Sequence, residues 1–142
     1  MSSEITITTD KSRLDRELIH HFLGQESYWA QNIPRDLVDL AIDNSLTFAA
    51  LDGERQIGFA RVVTDYAVFA YVGDVFVLPE YRGRGASKQL MEAIRNHPSL
   101  QRLRRWHLLT RDAHGLYRKF GFRELESPER HMEIAKKDAY RP

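Results

Sequence analysis

The stretch Val75-Phe76-Val77-Leu78-Pro79-Glu80-Tyr81-Arg82-Gly83-Arg84-Gly85-Ala86-Ser87 decides how this chain is read. An apolar run stops at a proline, and a turn with two glycines leads straight into a helical pattern. Pro79 cannot donate to a strand ladder, so the strand ends there. Beyond the turn, Ala86, Leu90, Ala93 and Ile94 fall on one face of a helix. Free amides at a helix start, together with the positive end of its dipole, suit a diphosphate. Gly83 and Gly85 allow the backbone to bend and let phosphate oxygens approach with no Cβ in the way. Arg82 and Arg84 add positive charge, and Ser87 adds a hydroxyl in the first turn. The pattern is not a Walker loop, which needs Gly-Lys-Ser/Thr after four spacers. Nor is it a Gly-x-Gly-x-x-Gly fingerprint, because position 88 is Lys. The bland alternative is an ordinary helix start with two solvated arginines.

Working outward, residues 68 to 78 form the apolar strand that feeds this turn, and His97-Pro98 stops the helix that leaves it. Leu103 to Thr110 reads as the next strand, which makes strand, helix and strand a crossover unit. Upstream, Leu46 to Leu51 and Gln56 to Thr64 flank Asp52-Gly53, an antiparallel hairpin signal. Ile5 and Ile7 alternate with threonines in a short first strand. Asp10 or Ser12 caps a helix with Leu14, Leu18 and Phe22 on one face. Residues 24 to 33 read as a loop or broken helical turn, and Pro34 opens a second helix. Downstream, 113 to 120 is a short helix, and 121 to 126 and 130 to 135 are closing strands. The order β-α-α-β-β-β-α-β-α-β-β predicts an α/β fold, a mixed central sheet with helices on both faces, formed by residues 1–142 as one domain.

Composition narrows the function classes. The 142 residues carry a formal charge of +1, so no global basic face points to nucleic acid or an acidic membrane. There is no cysteine, which removes disulfides, thiolate metal sites and an acyl-cysteine intermediate, and fits a reducing, cytoplasmic setting. Met1 to Asp10 lacks the pattern of a signal peptide. The six histidines show no His-x-His or His-Glu-x-x-His spacing, so no metal is expected. Trp106 and His107 are adjacent on a strand and must face opposite ways. Arg102, Arg104 and Arg105 read as a solvated strand entrance, or as a basic patch for a ribose phosphate or RNA.

Arg82 to Ser87 resembles the Arg/Gln-x-x-Gly-x-Gly/Ala motif of the GNAT N-acetyltransferases, preceded by a similar strand end at Val77-Leu78-Pro79. Ala113 to Phe122 resembles that family's Ala-x-x-Leu-Tyr-x-x-x-Gly-Phe segment. Two positions depart from the pattern. The last small residue of the first motif is Ser87, and Thr110 stands where an asparagine is often found. The resemblance implies acetyl-CoA as cosubstrate and acetyl transfer to a small-molecule or protein amine, by an enzyme or by a CoA-binding regulatory domain without turnover. A homodimer is a fair expectation on base rates.

Direct transfer to an amine needs the amine deprotonated, an oxyanion stabilised and a leaving thiolate protonated. Tyr117 is the candidate acid, since a phenol titrates near 10 and a thiol around 8.5; otherwise it is a core aromatic beside Leu116 and Phe120. Asp74 interrupts an apolar strand and, at period two, shares a face with Val72 and Phe76. It is the candidate base or water-positioning group, with a raised pKa if desolvated, or else a structural partner of Arg61. Amides around Phe76 and Val77 are candidates for the oxyanion and cofactor if the strand is bulged there. Tyr28, Trp29, Arg61, Asp65 and Tyr66 are acceptor-side candidates, where aromatics and carboxylates suit a cationic amine.

Overall fold

The computed structural model describes residues 4–141. Met1 to Ser3, the start of the stretch read for a leader, lie outside them, as does Pro142. Five strands form one sheet in chain order: β1 (Ile5–Thr8), β2 (Leu46–Asp52), β3 (Arg55–Thr64), β4 (Phe69–Val77) and β5 (Arg105–Leu108). The first four are antiparallel neighbours, whereas β4 and β5 run parallel. A parallel pair needs a crossover, supplied here by α3 (Ala86–Asn96). The other helices are α1 (Arg16–His21), α2 (Arg35–Asp43) and α4 (His114–Arg118). Among the described residues no helix is long and apolar enough to cross a membrane.

The sheet is covered on both faces, as expected. On one face Ala86, Leu90, Met91 and Ile94 of α3 are buried. That helix lies close because β3 offers it Gly58. A Cβ on Gly58 would sit 3.1 Å from both the Ala50 Cβ and the Phe76 carbonyl oxygen, and 3.5 Å from Leu90 Cδ1. Gly58→Ala is therefore expected to cost about 1–3 kcal/mol by overpacking, read as a lower midpoint in chemical denaturation with an unchanged slope. On the opposite face Phe22 stacks on Phe76, ring centroids 4.0 Å apart. Val38 and Ile42 of α2 are buried on the same side as part of one continuous core.

Two expectations need correction. The first helix is broken rather than continuous from its cap. Asp10 caps one short turn, Lys11–Arg13, and the chain becomes extended at Leu14. A second cap then restarts it, with the Asp15 side chain accepting from Leu18 N–H while Asp15 N–H donates to Gln56 Oε1 at 2.6 Å. Phe22 thus lies in a wider turn, Phe22–Glu26, that swings its ring onto the sheet. The closing strands over 121 to 126 and 130 to 135 do not form. Phe122 instead returns to α4, its N–H donating to the Tyr117 carbonyl at 3.2 Å and its ring meeting Tyr117 edge-on. The alternating pattern is present in both segments, but neither pairs with β5, the edge of the sheet.

Candidate active site

The site begins with an irregularity in β4. Phe59 pairs with Phe76, but Arg61 pairs with Gly73, so β4 carries one residue more than β3. This is a β-bulge, and Asp74 within it has φ 52°, a left-handed conformation that aspartate tolerates better than most residues. A bulge reverses which face each later residue occupies. Val72 therefore shares a face with Val62, and Phe76 with Phe59, one step out of phase on β3. The expectation that Val72, Asp74 and Phe76 lie on one face is corrected.

Asp74 lies under the loop between α1 and α2. Its Oδ2 accepts from Arg61 Nε at 2.8 Å, and its Oδ1 accepts from Trp29 Nε1, also at 2.8 Å. Arg61 in turn donates from Nη1 to Ser45 Oγ at 3.1 Å. Its ion pair with Asp74 is sheltered, the two side chains being 20% and 14% exposed. Each carboxylate oxygen has a second acceptor position, so Asp74 is oriented by these bonds without being saturated. Around it opens a cleft of about 1000 Å³ whose wall includes Tyr28, Trp29, Arg61, Tyr71, Asp74 and Tyr117. Burial, and next the Asp74 carboxylate, push the Tyr71 phenol upward.

Tyr28 spans this cleft. Its hydroxyl accepts from Arg111 N–H at 3.0 Å, its ring lies 3.9 Å beneath the Arg111 guanidinium, and its edge meets Trp29 at 5.0 Å. The loop after α1 is thereby tied to the loop after β5. Tyr117, on α4, forms the cleft's far wall and is only 9% exposed. Burial raises its phenol to about 12, with Tyr28 and Asp112 adding smaller effects. No described residue forms a hydrogen bond with its hydroxyl. Against a thiol of ordinary pKa, this widens the proton-transfer gap from about 2 to about 5 kcal/mol. The near match in acidity expected from the sequence applies only if the same burial also disfavours the thiolate.

Between these walls the parallel strands part. β5 ends at Leu108, opposite Val72, while β4 runs on to Val77. Leu78 N–H donates to Ile57 at 2.8 Å, and the Phe76 carbonyl also faces β3. Strand alternation then aims the Val77 main chain at the edge that β5 leaves vacant. Of the two amides singled out from sequence, that of Val77 faces the gap and that of Phe76 faces the ladder.

At the end of β4 the glycine turn leaves its backbone open. Gly83 and Gly85 both have φ 81°, and nothing lies within 4 Å of where either would carry a Cβ. Gly85 is the N-cap of α3, with Gln89 N–H donating to its carbonyl at 3.0 Å. Among the described residues nothing accepts from the amides of Gly83 through Lys88. Ala86 is buried and Ser87 half-buried at the start of α3. The arginines brace the turn: Arg82 Nε donates to the Val77 carbonyl at 3.3 Å, and Arg84 lies 5.0 Å over the Tyr81 ring.

Not every candidate reaches the cleft. Tyr66 lies in the β3–β4 turn at φ 63°, half exposed and away from the cleft wall. Asp65 holds that turn by accepting from the N–H groups of Ala67, Val68 and Phe69, which lowers its pKa. Tyr66→Ala is expected to leave kcat/KM within about twofold of wild type, the usual range for a surface change, in a steady-state assay. Thr110 lines the cleft, but its Oγ1 accepts from Ala113 N–H at 3.0 Å and so organises the start of α4. Trp106 packs beneath Arg95 on the α3 side, whereas His107 stacks with Tyr71 on the cleft side. Sequence reading missed Ser45, Tyr71, Arg111 and Asp112. For Tyr71 no signal existed, because its face depends on a bulge.

The fold and cleft define a class: a mixed α/β protein that presents an open glycine turn at a helix start beside a split parallel strand pair. Comparison with known proteins gives the class its family. The acetyltransferase (GNAT) domain profile matches residues 43–124, and the chain belongs to the GNAT acetyltransferase family. It is similar to a solved GNAT-family protein from Xanthomonas campestris pv. campestris, with 52% identity, TM-score 0.96 and 98% of each chain covered. It is also similar to a curated acetyltransferase-type protein of Gibberella zeae, 27% identical over 80% of this chain and 75% of that protein. A more distant structure shares the fold at 20% identity and TM-score 0.64, covering 96% of this chain and 100% of its own. It is AAC(6')-Iy in complex with the bisubstrate analogue CoA-S-monomethyl-acetylneamine.

Proposed function

We propose that residues 1–142 form one catalytic unit that transfers an acetyl group from acetyl-CoA to a primary amine by direct attack within a ternary complex. One observation carries the reading. The hydroxyl of a largely buried tyrosine, with no hydrogen-bond partner among the described residues, shares a cleft with an oriented carboxylate, at the point where β4 and β5 separate. In this scheme the amides of Gly83, Arg84, Gly85, Ala86 and Ser87 hold the diphosphate, and the Val77 main chain lines the pantetheine path. The amine enters from the side of Tyr28 and Trp29, where aromatic faces favour a cation. Asp74 accepts its proton, directly or through a water, while Arg61 and Trp29 hold the carboxylate in place. Tyr117 donates its hydroxyl proton to the departing sulfur.

The complete absence of cysteine supports direct attack, since no thiol is present to carry the acyl group. The AAC(6')-Iy complex, with both substrate halves joined in one ligand, supports a ternary geometry for this fold. The test is release of free CoA from acetyl-CoA across a panel of polyamines, amino acids, aminoglycosides and lysyl peptides. Turnover on at least one amine, with intersecting initial-rate patterns, is the expected result. Parallel patterns, or binding of acetyl-CoA without turnover on any amine, would overturn it.

A further inference from the structure

The catalytic cleft sorts its charged and apolar surface in a way that bears on the acceptor. Helix α2 sets Asp39 and Asp43 toward α1, where they bind Arg16 at 3.0 and 2.8 Å. Val38 and Ile42 turn into the core. That leaves Leu37 with Leu40 and Ala41, three and four residues further on, and these line the cleft. Leu40 is 59% exposed and Leu37 37%. A helix whose core face is already filled has no packing reason to carry a second apolar stripe. On the wall of a cleft, such a stripe marks a ligand surface.

The sheet adds apolar surface to the same cleft. Val63 of β3 pairs with Tyr71 of β4, two residues along from the pair of Arg61 and Gly73, so all four share a face. Gly73 matters here because it carries no side chain. A Cβ on it would stand 3.0 Å from Tyr71 Cε1, so the Tyr71 ring lies over Gly73, next in the chain to Asp74.

Charge, by contrast, is scarce. Among the described residues, Arg61, Asp74 and Asp112 are the only charged side chains that line the cleft. Asp74 is paired with Arg61 at 2.8 Å, and the exposed Asp112 lies 3.9 Å from Arg111. One carboxylate is thus held ready for the reacting nitrogen, and no unpaired one waits for a second cation. A polycation gains nothing from the leucines, and must desolvate its further charges against them or keep them in water. A single amine with an apolar group matches both parts of the wall.

We infer that the acceptor is a monocationic primary amine bearing an aryl or branched-alkyl group. Its nitrogen sits at Asp74, and its apolar group lies against Leu40, Val63 and the Tyr71 ring. The inference rests on the proposed acetyl transfer for the position of the nitrogen, and adds to it the class of amine.

Two readouts keep the two readings apart. In calorimetric titrations with CoA present, phenethylamine and isoamylamine should bind at least about tenfold more tightly than spermidine or neamine, a ratio that one or two buried methylenes command. Steady-state kcat/KM should follow the same order. Leu40→Glu, a change at an exposed helix position, should raise KM for phenethylamine at least about tenfold and narrow its lead over spermidine. The effect should fall on KM for the amine more than on kcat, with KM for acetyl-CoA within about twofold. Val63→Lys, on a different element, should give the same shift. Spermidine or neamine bound as tightly as the apolar amines, or no measurable binding of either class, would overturn the inference. So would unchanged amine selectivity in Leu40→Glu; a shift of its mass in light scattering would then assign the stripe to contact between copies of the chain. Preferential binding of the apolar amines without release of CoA would uphold the amine class and overturn the acetyl transfer instead.

Discussion

Gly85→Val is expected to weaken acetyl-CoA binding by at least about a hundredfold, close to 3 kcal/mol, in a calorimetric titration. Gly85 caps α3 at φ 81°, where a β-branched residue is an outlier and the strain is of order 1–3 kcal/mol. The turn must then rearrange, which displaces the free amides from Gly83 to Lys88. Space is not the obstacle, because nothing lies within 4 Å of the missing Cβ. Gly85→Ala separates the two contributions: it carries the strain of about 1–2 kcal/mol without the branch, so a loss of roughly tenfold is expected. The turn is exposed and removed from the core, so both variants should melt as cooperatively as wild type. Unchanged affinity in the valine variant would mean that the phosphates bind elsewhere.

Tyr117→Phe is expected to lower kcat by about a hundredfold or more, in line with loss of a positioned acid, while the dissociation constant for acetyl-CoA stays within about twofold. A residue that merely fills the core would show the reverse, an unchanged rate. The pH dependence sharpens the distinction. Burial raises the Tyr117 phenol from its usual value near 10 to about 12. The protonated acid therefore persists through pH 9–10, and turnover should show no alkaline limb there on its account. Stability carries the same sign. A raised pKa contributes stability fully below the unfolded value near 10, and that contribution is lost as pH climbs through about 12. Thermal melts between pH 9 and 11.5 should thus fall more steeply for wild type than for the phenylalanine variant.

The sequence makes legible those parts of the fold that depend on local chemistry. Pro79 and the paired glycines mark the end of β4 and the head of α3, and Asp52-Gly53 marks the hairpin. What it conceals depends on tertiary partners. The bulge at Asp74 inserts a residue that no alternation reveals, and it places Tyr71 and Phe76 on the cleft side together. The bond that the Arg111 N–H donates to the Tyr28 hydroxyl joins residues 83 apart in the chain. The last two strands fail for the opposite reason: their pattern is present, but no neighbouring edge of the same chain pairs with it. Residue type alone makes Tyr66 a site candidate, and a left-handed turn carries it away.

The most direct test is a crystal structure with CoA bound. The account predicts diphosphate oxygens within hydrogen-bond distance of the Gly83–Ser87 amides, with the sulfur in the gap between β4 and β5 facing the Tyr117 hydroxyl. CoA found in the cleft outside β5 lined by Arg104 and Arg105, or a sulfur out of reach of Tyr117, would contradict it.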